Sequence, residues 1–229
     1  MIGTLLKEAD MFAGHIGAGL AIGSAERRIN VGVFIFAAVF IDFMLWLFVL
    51  LGWESVIISS DYAATHQPDF VFPFSHGLLA AIAWSGLAGT AAFFAYRRLK
   101  AARFRAAILV AAAVFSHWLL DALVHTPELP VMGAQSVKLG LGLWQSMAVA
   151  LLVEAIIAAA GLYLFLSGAG LSRTRKHGLT MLCLVVIAST VMGMTVAPPP
   201  PSVNAMAVTS LITIAAVCAL AGWLGKRPA

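Results

Sequence analysis

The chain has 229 residues, 62% hydrophobic and only 10% charged, against roughly 45–50% and about 25% for soluble domains. That excludes an ordinary soluble domain and predicts an all-α, polytopic membrane protein. The formal net charge of +4 implies no nucleic-acid partner, because the basic residues sit at predicted helix ends without interleaved stacking aromatics.

Taken in order, residues 1–10 read as an N-terminal extension. Lys7, Glu8 and Asp10 interrupt its only apolar run, so nothing there resembles a cleavable signal. Residues 11–23 form a short Gly-rich helix that is partial, re-entrant or a seventh span. Six stretches then approach or exceed the roughly 17–25 apolar residues that cross a bilayer: 30–51, 76–96, 106–125, 143–166, 178–196 and 204–224. Residues 11–229 read as a single transmembrane domain, with the polar groups of interest in 11–166 and two additional spans in 178–224. The 52–74 connection is long enough to be a lid or the mouth of a site. The proline tract at 198–201 reads as a rigid turn. Cys183 and Cys218 lie within spans and read as packing residues.

The basic residues orient the chain. Arg27 and Arg28, the group from Arg97 to Arg105, the group from Arg173 to Lys176, and Lys226 with Arg227 fall in alternate connections. The positive-inside rule makes these cytoplasmic, the C-terminus included, and leaves the intervening loops outside.

Three acids, Asp42, Asp121 and Glu154, lie within predicted spans that contain no Lys or Arg in their interiors. Buried carboxylates there must be protonated, paired with protonated histidine or bound to a cation. His117 and Asp121 are four residues apart and share a helix face, and His125 extends that line by one turn. At about 1.5 Å of rise per residue, His15 and Asp42 both fall about 20 Å above the cytoplasmic edge, with His117 and Asp121 at about 18 and 24 Å. Glu154 falls near mid-bilayer, and His76 and His125 near the outer boundary. A site facing the outer side is expected, with His15, Asp42, His76, His117, Asp121 and His125 as candidate metal ligands and Asp42 or Glu154 as a candidate catalytic base. Mixed nitrogen and oxygen donors suit zinc, manganese or iron. His66 and His177 read as loop residues. Ser75 and Ser116 each precede a histidine, but adjacent helical residues diverge by about 100°, which argues against a nucleophilic pair.

Gly14-His15, Asp42, Ser75-His76 and the run from Ser116 to Asp121 follow one another in an order that resembles the predicted bacterial inner-membrane metal-dependent hydrolases. The order is also similar to that of zinc-dependent phospholipase C and P1 nuclease. Where the hydrolase family has a fuller acidic motif this chain has Phe40-Ile41-Asp42-Phe43, and only the last histidine of a His-Arg-x-x-Thr-His motif is kept, at His76. The resemblance implies a hydrolase of the bacterial inner membrane, with a divalent metal, acting on a phosphoester or other ester that is lipid-like and presented from the bilayer. Two further functions fit the same residues: a metal-ion or proton transporter or channel, and a non-catalytic metal-stabilised membrane scaffold.

Overall fold

The computed structural model describes residues 11–226, so the expected extension at 1–10 lies outside the described residues. The described residues form nine α-helices, two short 3-10 helices (Arg97–Leu99 and Leu143–Ser146) and two short antiparallel strand pairs. The helices are α1 (Phe12–Ala25), α2 (Val31–Ala38), α3 (Phe40–Leu50), α4 (Tyr62–Thr65), α5 (Leu78–Ala95), α6 (Ala102–Val124), α7 (Met147–Leu166), α8 (Arg173–Thr195) and α9 (Val203–Leu224). The strands are β1 (Ser55–Ile57), β2 (Asp69–Val71), β3 (Leu129–Pro130) and β4 (Lys138–Leu139). Five helices are long and apolar enough to cross a membrane, or six if α2 and α3 count as one bent span. Large apolar side chains such as Leu87, Ile108, Leu152 and Ile212 remain exposed on the outer faces of these helices, which suits a bilayer as the surrounding solvent. The chain is therefore an all-α polytopic membrane protein.

The stretch 30–51, expected as one span, is broken at Val39, and its halves meet at 54°. Neither proline nor glycine stands there. The break starts a new helix at Phe40, placing Asp42 in its first turn, where the helix dipole favours a carboxylate. The Gly-rich segment becomes α1, whose 14 residues extend about 21 Å, less than the roughly 30 Å hydrocarbon core. It lies inside the bundle, packed against α2, α6, α7 and α8. Glycines permit that position: a Cβ on Gly17 would stand 2.5 Å from the Ile157 carbonyl oxygen and 2.6 Å from the Ala158 Cα of α7. Gly161 faces Gly17 across the same crossing.

At the basic end of the bundle three arginines sit on carbonyls near helix C-termini, where the dipole is negative. Arg105 donates to Ala25 O at the end of α1, Arg27 to Phe165 O in α7, and Arg175 to Trp223 O in α9. The opposite end carries the strand pairs. β1 and β2 pair antiparallel, Val56 opposite Phe70, and Val56, Phe70 and Phe72 turn inward to pack with Leu45, Trp46 and Leu129. The 52–74 connection thus folds down over the bundle. α8 and α9 complete the wall, α8 against α7 and α1, and α9 against α2 and α3.

Candidate metal centre

Five of the sequence-predicted residues converge from four places in the chain. α6 supplies His117 and Asp121 from one face, α1 supplies His15, α3 supplies Asp42, and the turn before α5 supplies His76. All are buried. His117 Nε2 lies 3.0 Å from Asp121 Oδ2, 3.3 Å from Asp42 Oδ1 and 3.3 Å from His76 Nε2. His76 Nε2 lies 3.3 Å from Asp121 Oδ2 and 3.4 Å from Asp42 Oδ1. Adjacent donors about 2.1 Å from one shared ion stand about 3.0–3.4 Å apart, depending on whether the geometry is octahedral or tetrahedral. The observed separations fall in that interval. Asp121 also reaches His15 Nε2 through its other oxygen, at 3.1 Å, and the His15 ring stacks on His117 with centroids 3.8 Å apart. His15, Asp42 and His117 form one group able to hold a metal, and His76, His117 and Asp121 another.

Hydrogen bonding at the far side of each ring decides what these nitrogens can do. A carbonyl only accepts, so at 2.8 Å from Ala38 O the Nδ1 of His117 carries the proton and donates it. Ala38 ends α2, and the helix break offers its carbonyl to that donor. His76 Nδ1 is likewise engaged, 2.8 Å from Ser75 Oγ. With each ring neutral and protonated at Nδ1, both Nε2 atoms present lone pairs to each other and to two carboxylate oxygens, one of which, Asp121 Oδ2, is buried without a hydrogen-bond partner. Acceptors facing one another in a dry interior need either shared protons, as in imidazolium–carboxylate pairs, or a bound cation. Either three-residue group could hold a divalent ion, and His117 belongs to both.

The remaining predicted residues stand around this centre. His125 was expected to continue the line along α6, but the helix ends at Val124 and His125 turns extended, with ψ at 144°. Its Nδ1 bonds Glu128 Oε1 at 2.6 Å, and its ring packs against Trp144. With Asp42, His76 and Asp121 it lines a cavity of about 10 Å³ walled by Leu45, Phe70 and Phe72, room for about one water. Glu154 is buried in α7 and accepts the Gly14 N–H at 3.4 Å, serving the otherwise unpaired start of α1. His66 caps α4 in the left-handed region, whereas His177, expected in a loop, lies within α8.

Sequence reasoning missed the supports. Ser75 and His76 precede α5, so the divergence of adjacent helical residues does not apply and their side chains meet. Ser116, within α6, does point elsewhere, to Ala113 O. The Trp118 indole donates to His76 O at 3.0 Å and fixes that turn. Glu54, from the 52–74 connection, is buried against Ser75; burial pushes its carboxyl above the ordinary glutamate range, opposed by its hydrogen bonds to Ser75 and Phe74. No protein family, curated protein or solved structure matches this chain.

Proposed function

We propose that the protein is a membrane-embedded metal-dependent hydrolase acting on a phosphoester or other ester of a lipid-like substrate. The observation that carries this is the convergence of two imidazole lone pairs and two carboxylates, from separate helices, beside a small cavity rimmed by a further histidine. The resemblance to predicted bacterial inner-membrane hydrolases supports the same chemistry. Zinc suits the donors first, with manganese and iron as alternatives. His76, His117 and Asp121 would hold the ion, with Asp42 beside both imidazoles, and His15 steadies Asp121 from the other oxygen. When bound, the ion supplies a water acidified toward pH 7 and an electrophile for the ester oxygen.

The chain's own groups then handle orientation and protons. Nδ1 of His125 donates to the Glu128 carboxylate, which leaves Nε2 as the basic nitrogen, the arrangement that suits a general base. Phe70 and Phe72 exclude bulk water and must move aside for substrate. The basic end faces the cytoplasm, and the centre lies toward the outer side of the bacterial inner membrane. A transport route needs polar groups continuing to the basic end. Among the described residues the buried carboxylates and imidazoles other than Glu26 cluster at the centre and its rim.

The test is hydrolysis by the purified protein in phospholipid vesicles, read as release of the water-soluble headgroup product. Activity should vanish on chelation and return with zinc; metal-loaded protein inert toward phosphoesters and carboxylic esters would overturn the proposal. His125→Gln is expected to lower kcat by about 10²–10⁴-fold with metal content unchanged, the scale for a lost general base. Unchanged kcat in that variant would remove His125 from the proton path.

A further inference from the structure

The turn that delivers His76 is held by a carboxylate from 21 residues earlier in the chain. Glu54 stands just before β1, 5% exposed. Its Oε1 accepts the backbone N–H groups of Phe74 and Ser75, each at 2.8 Å. Its Oε2 lies 2.7 Å from Ser75 Oγ, and that hydroxyl lies 2.8 Å from His76 Nδ1. The polarity of this chain of bonds follows from chemistry. With Glu54 ionised its oxygens only accept, so the Ser75 hydroxyl proton points to Glu54, and the hydroxyl oxygen is left to accept from His76 Nδ1–H. In the neutral ring a proton on Nδ1 leaves the lone pair on Nε2, the atom facing His117, Asp42 and Asp121.

We infer that Glu54 is a positioning residue that sets the tautomer of His76 through the Ser75 hydroxyl and so prepares Nε2 as a metal donor. The inference rests on the metal-centre reading. It extends the pattern at His117, where the Ala38 carbonyl performs the same task directly. Metal-bound histidines generally have their second nitrogen fixed this way, and loss of such a partner weakens metal binding by about 10–100-fold. Here the fixing group lies on the 52–74 connection, the segment that also carries Phe70 and Phe72 over the cavity. Displacing that segment would therefore loosen His76.

Glu54→Gln separates this role from simple support of the turn. The two backbone N–H groups select the amide oxygen of Gln at the Oε1 position, so its NH2 faces Ser75 and the turn stays pinned. The hydroxyl then accepts from Gln and its own proton is freed for His76 Nδ1, which favours the imidazole proton on Nε2 and blocks the donor. Ser75→Ala removes the relay but leaves either tautomer available. Zinc titration of the full-length protein against a competing chelator should show E54Q weakened by about 10–100-fold and S75A weakened less, with the metal-free melting temperature of E54Q close to wild type. Nitrogen-15 NMR of the histidines should show His76 protonated at Nδ1 in metal-free wild type and at Nε2 in E54Q. Wild-type zinc affinity in E54Q, or a His76 that stays Nδ1-protonated there, would overturn the inference even where the wild-type protein binds metal. Wild-type protein that binds no zinc, yet shows the tautomer switch, would instead overturn the metal centre and with it the purpose assigned to Glu54.

Discussion

Asp121→Asn is expected to abolish tight metal binding, with a loss beyond the roughly 100-fold that an outer partner causes. Asp121 alone touches three imidazoles, His76 and His117 through Oδ2 and His15 through Oδ1. An amide keeps the shape but removes a charge that the ion requires, leaving a divalent cation against Asp42 alone in a buried site. Thermal unfolding in detergent reads the consequence. At metal concentrations about 100 times the dissociation constant, binding stabilises the wild type by about 2.7 kcal/mol, a rise of several degrees in Tm for a chain of this size. The variant should show no metal-dependent rise. An equal rise in both proteins would remove Asp121 from the ligand set.

Gly17→Ala should be disruptive out of proportion to one methyl group. The added Cβ meets backbone atoms of Ile157 and Ala158, and backbone cannot rotate away as a flexible side chain can. Overpacking of this kind costs about 1–3 kcal/mol, occasionally more. Because His15 lies two residues earlier on the same helix, pushing α1 from α7 also withdraws its imidazole from Asp121. Gly86→Ala is the internal control. A Cβ there meets nothing within 4 Å, so the substitution should be neutral or slightly stabilising through helix propensity. Comparable Tm values for both variants would contradict the close α1–α7 crossing.

The contrast between what the sequence revealed and what it hid has physical causes. His117 and Asp121 were legible because helical periodicity alone puts residues four apart on one face. His15 and Asp42 followed from depth, since charged or titratable groups stand out in an apolar span. His125 was misaligned with the others, although a signal was present: Pro127 disfavours helical backbone at Thr126, and α6 stops at Val124. The break at Val39 carried no such signal. It is stabilised by tertiary partners, among them the His117 ring on the Ala38 carbonyl, and no local residue choice announces it. Glu54 was hidden for the opposite reason. It sits in a polar loop where an acid is unremarkable, and only the fold brings it against Ser75. Glu154 reads as a candidate catalytic base from the sequence, and the partner that the fold gives it, the Gly14 N–H of α1, lies 140 residues away in the chain.

The central claim is that His76, His117 and Asp121, with Asp42 beside them, hold a divalent metal. Elemental analysis of wild-type protein, purified without chelators, tests it most directly. Stoichiometric zinc, manganese or iron per chain, absent from Asp121→Asn prepared in parallel, is the predicted result. Wild-type protein free of divalent metal, and unable to take it up on dialysis against zinc, would contradict the account and leave the histidines and aspartates as proton-sharing pairs.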